Sequence, residues 1–159
     1  MASTSDILQI ARPQVARDEG CLLHAYPDPL SGGHPYTVGY GATGSDIGPD
    51  TVWTQEQADA DLDSRLSALC VQLDMSLTWW TALSAPRAAV LLGMAYNLGL
   101  HGLFGFPHML ACCQASDWSG ASAQMLDSTW AKQLHYDPAH PLASRPGRLA
   151  EQMRTGTPQ

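Results

Sequence analysis

Two acidic side chains and one hydroxyl follow one another near the start of the sequence, each in a different setting. Glu19 ends a helical pattern and precedes Gly20, Asp28 lies between two prolines, and Thr37 opens a strand-like segment. Cleavage of a glycosidic bond needs two carboxyl groups in different surroundings, because one protonates the leaving oxygen while the other assists the attacking water or the positively charged sugar. The types and order of these residues therefore indicate glycoside hydrolysis.

Two short segments carry these residues. Residues 19–28 have the sequence Glu-Gly-Cys-Leu-Leu-His-Ala-Tyr-Pro-Asp, and residues 36–41 have Tyr-Thr-Val-Gly-Tyr-Gly. Together they resemble the catalytic signature of the phage-type lysozymes (glycoside hydrolase family 24, endolysins), in which a Glu, an Asp and a Thr follow in this order. The interval from Asp to Thr is a few residues longer here, and residues 31–33 are the insertion that we infer.

The resemblance extends over almost the whole chain. Residues 87–99 are similar to a buried helix of the family that ends in Asn or Gln, and residues 104–106 are similar to the Gly-Phe that follows it. Trp130 and residues 145–157 resemble the closing helix. One departure follows the Gly-Tyr-Gly segment, where many members carry His and this chain carries Ala42.

The resemblance implies a role for each residue of the signature. Glu19 is expected to be the general acid, Asp28 to stabilise oxocarbenium charge and orient water, and Thr37 to hold the nucleophilic water. Water attacking from the opposite face of the ring favours inversion, for which the two carboxyl groups stand about 6.5–9.5 Å apart. The resemblance implies no metal and no organic cofactor.

Further residues are assigned to binding and support. We expect His34, Tyr40, Asn97 and Phe106 to contact the substrate, with His34 in the loop between Asp28 and Thr37. In the family the acidic Glu is held by an Arg of the C-terminal helix. By position Arg145 takes that role, and Arg148 reaches Asp18 or supports the same network.

The elements that must position these residues follow from local patterns. Apolar spacing predicts a helix over about 5–19, which Pro13 should kink or delay, and Gly20 suits its end. Strands are predicted over 22–26 and 36–41, and a weak third over about 42–47. The capping box at Thr54 opens a helix to about 73, whose acids Asp59, Asp61 and Asp63, with Arg65, are predicted to form a solvated face.

A helical half completes the chain. Helices are predicted over 85–98, 107–113, 118–130 and 148–154. The pattern indicates one α+β, lysozyme-like domain over 1–159, with a small β-rich lobe at about 15–53 and a larger helical lobe at about 74–159. A connecting helix over about 54–73 joins them, and we expect the active-site cleft between the lobes.

Charge and composition limit the partners. The net charge of −7 argues against nucleic acid, since phosphate binding needs clustered Lys and Arg. No apolar run approaches the roughly 20 residues that span a bilayer, so no membrane insertion is expected. The acidic surface should repel thick anionic walls, so we expect action on thin, accessible peptidoglycan strands by a monomer.

The start of the sequence lacks the basic residues and apolar stretch of a secretory signal. We therefore expect synthesis in the cytoplasm and action in the periplasm or cell wall after delivery. The chain is predicted to be either a phage endolysin or an antibacterial effector domain, with delivery machinery, a partner domain or an immunity protein as further partners.

Other readings of the sequence remain open. A lytic transglycosylase would share the general acid but needs no water-orienting Asp and Thr, and a non-catalytic wall-binding module usually carries short aromatic repeats. The six histidines show no metal-ligand spacing, which argues against a zinc amidase. The four cysteines (Cys21, Cys70, Cys112 and Cys113) form no Cys-x-x-Cys pair, and we expect free thiols rather than a bridge.

Overall fold

The computed structural model describes residues 1–27 and 33–159. Its elements confirm the predicted α+β fold, which is mostly helical with a small antiparallel sheet. In chain order they are α1 Thr4–Glu19, β1 Leu22–Pro27, β2 Tyr36–Gly39, β3 Ala42–Thr43, α2 Gln55–Ser76, α3 Ala85–Phe104, α4 Pro107–Gln114, α5 Trp118–Leu126, α6 Thr129–Gln133 and α7 Arg145–Thr155.

The chain divides into two compact units. The sheet unit is Arg12–Ala68, and the helical unit combines Met1–Ala11 with Leu69–Gln159. The unit boundaries fall within α1 and α2, so each of these helices contributes residues to both units. That the whole chain forms one domain, with a cleft between two lobes, stays a prediction.

Helix α1 begins earlier than its proline would suggest. Pro13 lies inside the helix, so the prediction that it would delay the helix start is wrong. Pro13 is exposed, and in the same helix Ile7, Ala11 and Val15 are buried. Burial of this apolar face stabilises the helix and offsets the hydrogen bond that proline removes.

The sheet unit contains a three-stranded antiparallel sheet in the order β1-β2-β3. Strand β2 is central, and its Thr37 pairs with Tyr26 on one side and with Thr43 on the other. The register of β1 shifts between Leu22 and Tyr26. Val38 of β2 and Ala42 of β3 form a small apolar cluster with Ile47. Ala25, Tyr36 and Trp53 are partly buried and pack against this cluster.

Helix α2 starts where its sequence predicts. The Thr54 hydroxyl accepts from the Gln57 backbone N–H at 3.1 Å, and the Gln57 side chain accepts from the Thr54 N–H at 2.8 Å. This reciprocal pair satisfies two donors that the first turn would leave without partners. The apolar stripe below it is buried at Ala58, Leu62, Leu66, Cys70 and Leu73.

The helical unit is built around α3. Its first half is almost completely buried, and its regular dihedrals are interrupted at Gly99, which has φ 72° and ψ 167°. Such a positive φ suits glycine, and it marks the helix end that the sequence predicted at residue 98. Helix α5 packs against α4 and α7, and α7 packs against α3.

Two helices of this unit differ from their predictions. The single helix predicted over 118–130 is two helices, α5 and α6, because Ser128 caps a new start by accepting from the Ala131 N–H. Helix α7 begins at Arg145 rather than near 148, because Ser144 is its N-cap and Pro146 occupies its first turn. Serine before a first-turn proline is a known start signal.

Arg87 joins the end of α7 to α3. Its guanidinium donates to the Met153 carbonyl at 2.9 Å and to the Arg154 carbonyl at 3.2 Å, and it lies 4.1 Å from the ring centroid of Trp118. Carbonyls in the last turn of a helix have no partner within the helix, so a cation there satisfies them and interacts favourably with the negative end of the helix dipole.

Among the described residues, no single helix has the length and hydropathy to cross a membrane. Only the pair α3 and α4, bent by 103°, passes that test together.

Candidate active site

Glu19 occupies the last position of α1. Gly20 follows with φ +67°, and its N–H donates to the Ala16 carbonyl at 3.1 Å, which ends the helix cleanly. The turn after β2 comes close to this carboxylate, since a Cβ placed on Gly41 would lie 4.0 Å from Glu19 Oε2. The structure therefore brings the predicted acid next to the backbone of the Gly-Tyr-Gly segment.

The sheet positions Thr37, the second predicted catalytic residue that the structure describes. Thr37 lies on the central strand and is half-buried, two residues before Gly39. Asp28 directly follows Pro27, the last residue of β1, but it lies outside the described residues. Its distance to Glu19 stays a prediction, as do the catalytic roles of all three side chains.

His34 and Tyr40 are placed differently from each other. His34 is exposed, and its ring meets the Tyr36 ring edge to face at 5.4 Å between centroids. The Tyr40 side chain is 8% exposed, and its hydroxyl donates to Asp59 Oδ1 at 2.9 Å. Its predicted contact with the substrate stays a prediction, but its hydroxyl already has a structural partner.

The acids of α2 are partly exposed, as the sequence predicted, but they are also paired with arginines. Asp59 and Asp61 are half-buried, and with the exposed Asp63 they bind the guanidinium groups of Arg12 and Arg65. The predicted exposure is thus found in part, but the sequence did not predict the pairing. Arg12 comes from α1, which no local pattern in α2 shows, whereas Arg65 lies one turn along α2 from Asp61.

The pKa shifts of Tyr40 and Asp59 reflect this contact. Burial raises the pKa of Tyr40 above its ordinary value, and the Asp59 carboxylate raises it further. The pKa of Asp59 lies below its ordinary value because Gln55 and Tyr40 donate hydrogen bonds to the ionised form, with a further contribution from Arg12.

In the helical unit, Asn97 and Phe106 meet at Trp130. The Trp130 indole N–H donates to Asn97 Oδ1 at 2.9 Å, and the Phe106 ring packs edge-on against the Trp130 ring at 6.1 Å. Sequence reasoning noted Trp130 only as part of the resemblance. A buried indole N–H needs an acceptor, but the pair is 33 residues apart, so no local spacing identifies it.

These aromatic residues line a cavity of about 410 Å³ in the helical unit. Its wall mixes apolar rings with hydroxyl, amide and carboxyl groups, a composition that suits a polar ligand with apolar faces. Its lining residues are Leu98, Gly105, Phe106, Pro107, His108, Met109, Gln124, Asp127, Ser128, Thr129, Trp130 and Gln133.

The two supporting arginines lie on α7. Arg145 is its first residue and is half-buried. Arg148 donates to the carbonyls of Leu142 and Ala143, both at 3.1 Å, and so holds the turn before the helix. The roles predicted for them at Glu19 and Asp18 stay predictions, and the structure gives Asp18 an ion pair with Arg17 at 3.1 Å.

The described histidine, cysteine and acidic side chains show neither a metal cluster nor a disulfide. Within 1–27 and 33–159, no group of three or more His, Cys, Asp or Glu side chains could hold a metal ion. All four cysteines are free thiols. Burial raises the pKa of Cys70 to about 11 and of Cys113 to about 12, so these two thiols stay protonated and poorly nucleophilic near neutral pH.

The chain was compared with protein families and with curated proteins. A family model described as phage lysozyme matches residues 16–144, a span that includes Glu19, Thr37, Asn97 and Phe106 and ends before Arg145. No curated protein matches the chain.

Proposed function

Because the chain belongs to the phage lysozyme family, and is thereby a peptidoglycan-lytic lysozyme, we propose that it is a muramidase that hydrolyses the β-1,4 bond between N-acetylmuramic acid and N-acetylglucosamine. The observation that supports this most is the position of Glu19, at a helix end beside the Gly41 backbone, in the same unit as Thr37. Both residues lie within the span matched to the family.

The proposed reaction assigns one step to each side chain. Glu19 donates its proton to the glycosidic oxygen, which makes the sugar a better leaving group. Asp28 stabilises the positive charge that develops on the ring, and together with Thr37 it orients a water on the opposite face. The bond from water to the anomeric carbon forms as the glycosidic bond breaks, the Asp28 carboxylate takes the proton that the water releases, and the product has inverted configuration.

The acid role is tested with Glu19→Gln, which keeps the shape of the side chain and removes its proton. A positioned general acid contributes about 10²–10⁴-fold, so release of reducing ends from purified peptidoglycan should fall by that factor. Glu56→Gln is the matched control, because Glu56 is an exposed acid of the first turn of α2. A Glu19→Gln enzyme within tenfold of the wild type would exclude Glu19 as the acid.

Product analysis separates hydrolysis from its closest alternative. A hydrolase leaves reducing ends, whereas a lytic transglycosylase on the same fold leaves 1,6-anhydro ends. Mass spectrometry of wild-type digests should show only reducing ends, and anhydro ends would replace the hydrolytic proposal. A wall-binding module would sediment with peptidoglycan and release no sugar.

The biological setting is part of the proposal. We propose that the protein acts as a monomer on wall peptidoglycan in the periplasm, as an endolysin or as an antibacterial effector domain with delivery and immunity partners. The net charge of −7 favours a target that does not require adsorption to a thick anionic wall. Expression in the bacterial periplasm should lyse the cells, and expression in the cytoplasm alone should not. Equal lysis from both compartments would contradict the proposed site of action.

A further inference from the structure

Asp59, Tyr40 and Gln55 contact one another in the sheet unit. Its Oδ1 accepts from the Tyr40 hydroxyl at 2.9 Å and from Gln55 Nε2 at 2.9 Å, and Gln55 Nε2 also lies 3.0 Å from the Tyr40 hydroxyl. The Tyr40 ring is buried, so its hydroxyl has few alternative orientations. The three groups form a closed triangle of hydrogen bonds, called the Tyr40 triangle below.

The Tyr40 triangle is tied to the helix that ends at Glu19. Arg12 of α1 lies 3.8 Å from Asp59 Oδ1 through Nη2, and its Nε donates to Asp63. Arg12 and Glu19 are seven residues apart, which is nearly two helical turns, so they lie on the same face of α1. The contacts of Arg12 with Asp59 and Asp63 therefore link α2 to the face of α1 that carries Glu19.

The main chain of Tyr40 is held as well. Arg65 Nη2 donates to the Tyr40 carbonyl at 3.1 Å and binds Asp61 at 2.7 Å. Gly39 and Gly41 on either side have φ +63° and φ +89°, conformations that glycine adopts without steric cost. Because both neighbours are glycines, Tyr40 has the only side chain within residues 39–41, and this is the turn beside the Glu19 carboxylate.

We propose that Tyr40 and Asp59 are positioning residues for the reaction, which hold the Tyr40–Gly41 turn and the Thr37 strand in register with the Glu19 carboxyl group. The inference rests on the proposed function and deepens it. Neither side chain takes a proton or contacts the reacting atoms. Each side chain acts indirectly, by keeping Glu19 and Thr37 in their positions. Small displacements of positioned catalytic groups lower kcat strongly.

The test is Tyr40→Phe, which removes one hydroxyl oxygen and keeps the ring. Kinetics on soluble peptidoglycan fragments, well below the melting midpoint of each variant, should show kcat lowered about tenfold with KM within twofold of the wild type. Tyr136→Phe makes the same chemical change in the helical unit and is expected to leave kcat unchanged. A purely structural role would lower the melting midpoint and leave kcat intact.

Conservative replacement at Asp59 provides a rescue. Asp59→Asn keeps an acceptor for the Tyr40 hydroxyl and should retain kcat within about threefold, whereas Asp59→Ala should lose about tenfold. The double variant Tyr40→Phe/Asp59→Ala should be no slower than the slower single variant, because residues that act as a unit are not additive.

Each failure has its own signature. A wild type that releases no sugar would remove the proposed function itself. A wild type that cleaves, with Tyr40→Phe within twofold in kcat, would overturn the positioning role alone. A rise in KM at unchanged kcat would also overturn it, because that result means Tyr40 binds the substrate.

Discussion

Different kinds of interaction stabilise the interior of each of the two units. In the sheet unit, arginines and aspartates from α1 and α2 converge on the turn after β2, and two of the largest fully buried side chains, Leu62 and Leu66, belong to this unit. The helical unit buries large apolar side chains, among them Trp80, Leu91, Met94 and Leu103. Apolar burial stabilises without fixing direction, whereas hydrogen bonds and ion pairs fix direction and add little net stability.

The difference suggests a division of labour within the chain. The predicted acid and water-holding residues lie in the unit whose contacts are directional, and the main reserve of stability lies in the other unit. Substitutions in the helical unit should therefore change stability more than turnover per folded molecule. Substitutions at the polar contacts of the sheet unit should do the reverse.

The largest expected effect comes from the apolar core. Leu91 is fully buried in α3, and Leu91→Ala should lower the free energy of unfolding by about 2–5 kcal/mol. Chemical denaturation measures the loss, with Leu142→Ala as control because Leu142 is 48% exposed in the same unit. The comparison fails if kcat of the folded Leu91→Ala protein drops as much as that of Tyr40→Phe.

A middle-sized effect tests a polar contact inside the helical unit. Asn97→Ala leaves the Trp130 indole N–H without its acceptor in a site where Trp130 is 5% exposed. The expected loss is about 1–3 kcal/mol of unfolding free energy. Trp130→Phe in the Asn97→Ala background should cost less than in the wild type, and fully additive losses would show that the two groups do not interact.

The smallest expected effect is a pH dependence in the sheet unit. The pKa of Asp59 is lower in the folded protein than in the unfolded chain, because Gln55 and Tyr40 donate to its ionised form. Its contribution is therefore present above the unfolded pKa and lost as pH falls through the folded pKa, below about pH 4. Stability of Asp59→Asn should vary less with pH in that range than stability of the wild type, and parallel curves would contradict this.

Part of the pH dependence of the unfolding free energy should remain in the Asp59→Asn variant. Asp137, which His140 contacts, and Glu151, which Arg154 contacts, also have pKa values below their ordinary range in the helical unit. Their contributions change with pH in the same direction. The comparison between Asp59→Asn and the wild type isolates the part that belongs to the sheet unit.

The sequence predicted the elements better than the contacts between them. The capping box at Thr54, the start of α3 at Ala85 and its break at Gly99 follow from local chemistry, and the structure has all three. The break between α5 and α6 was missed because apolar spacing continues across Ser128, and only the capping hydrogen bond of Ser128 shows that a new helix begins.

The polar contacts of the candidate site were beyond local reasoning. Tyr40 and Asp59 are 19 residues apart, and Arg12 and Asp63 are 51 apart. Whether such side chains meet depends on strand register and on how two helices pack, and neither can be read from one segment. Glu19 and Thr37 were identified through resemblance, and their catalytic roles await the substitutions described above.

The helical unit is discontinuous in sequence, and this has a consequence for the order of synthesis. Residues 12–68 are contiguous, so the sheet unit is complete as soon as they have left the ribosome, and units of this kind can begin to form during translation. Residues 1–11 emerge earlier still, yet their unit includes 69–159, and the Ala2 N–H donates to the Thr81 carbonyl at 2.8 Å. The carbonyls that Arg87 binds, at Met153 and Arg154, are made later again. The first turns of α1 must therefore wait for residues 69–159 before their unit can form, and a nascent chain halted before residue 153 should be more exposed to proteases there than a chain that extends through residue 159.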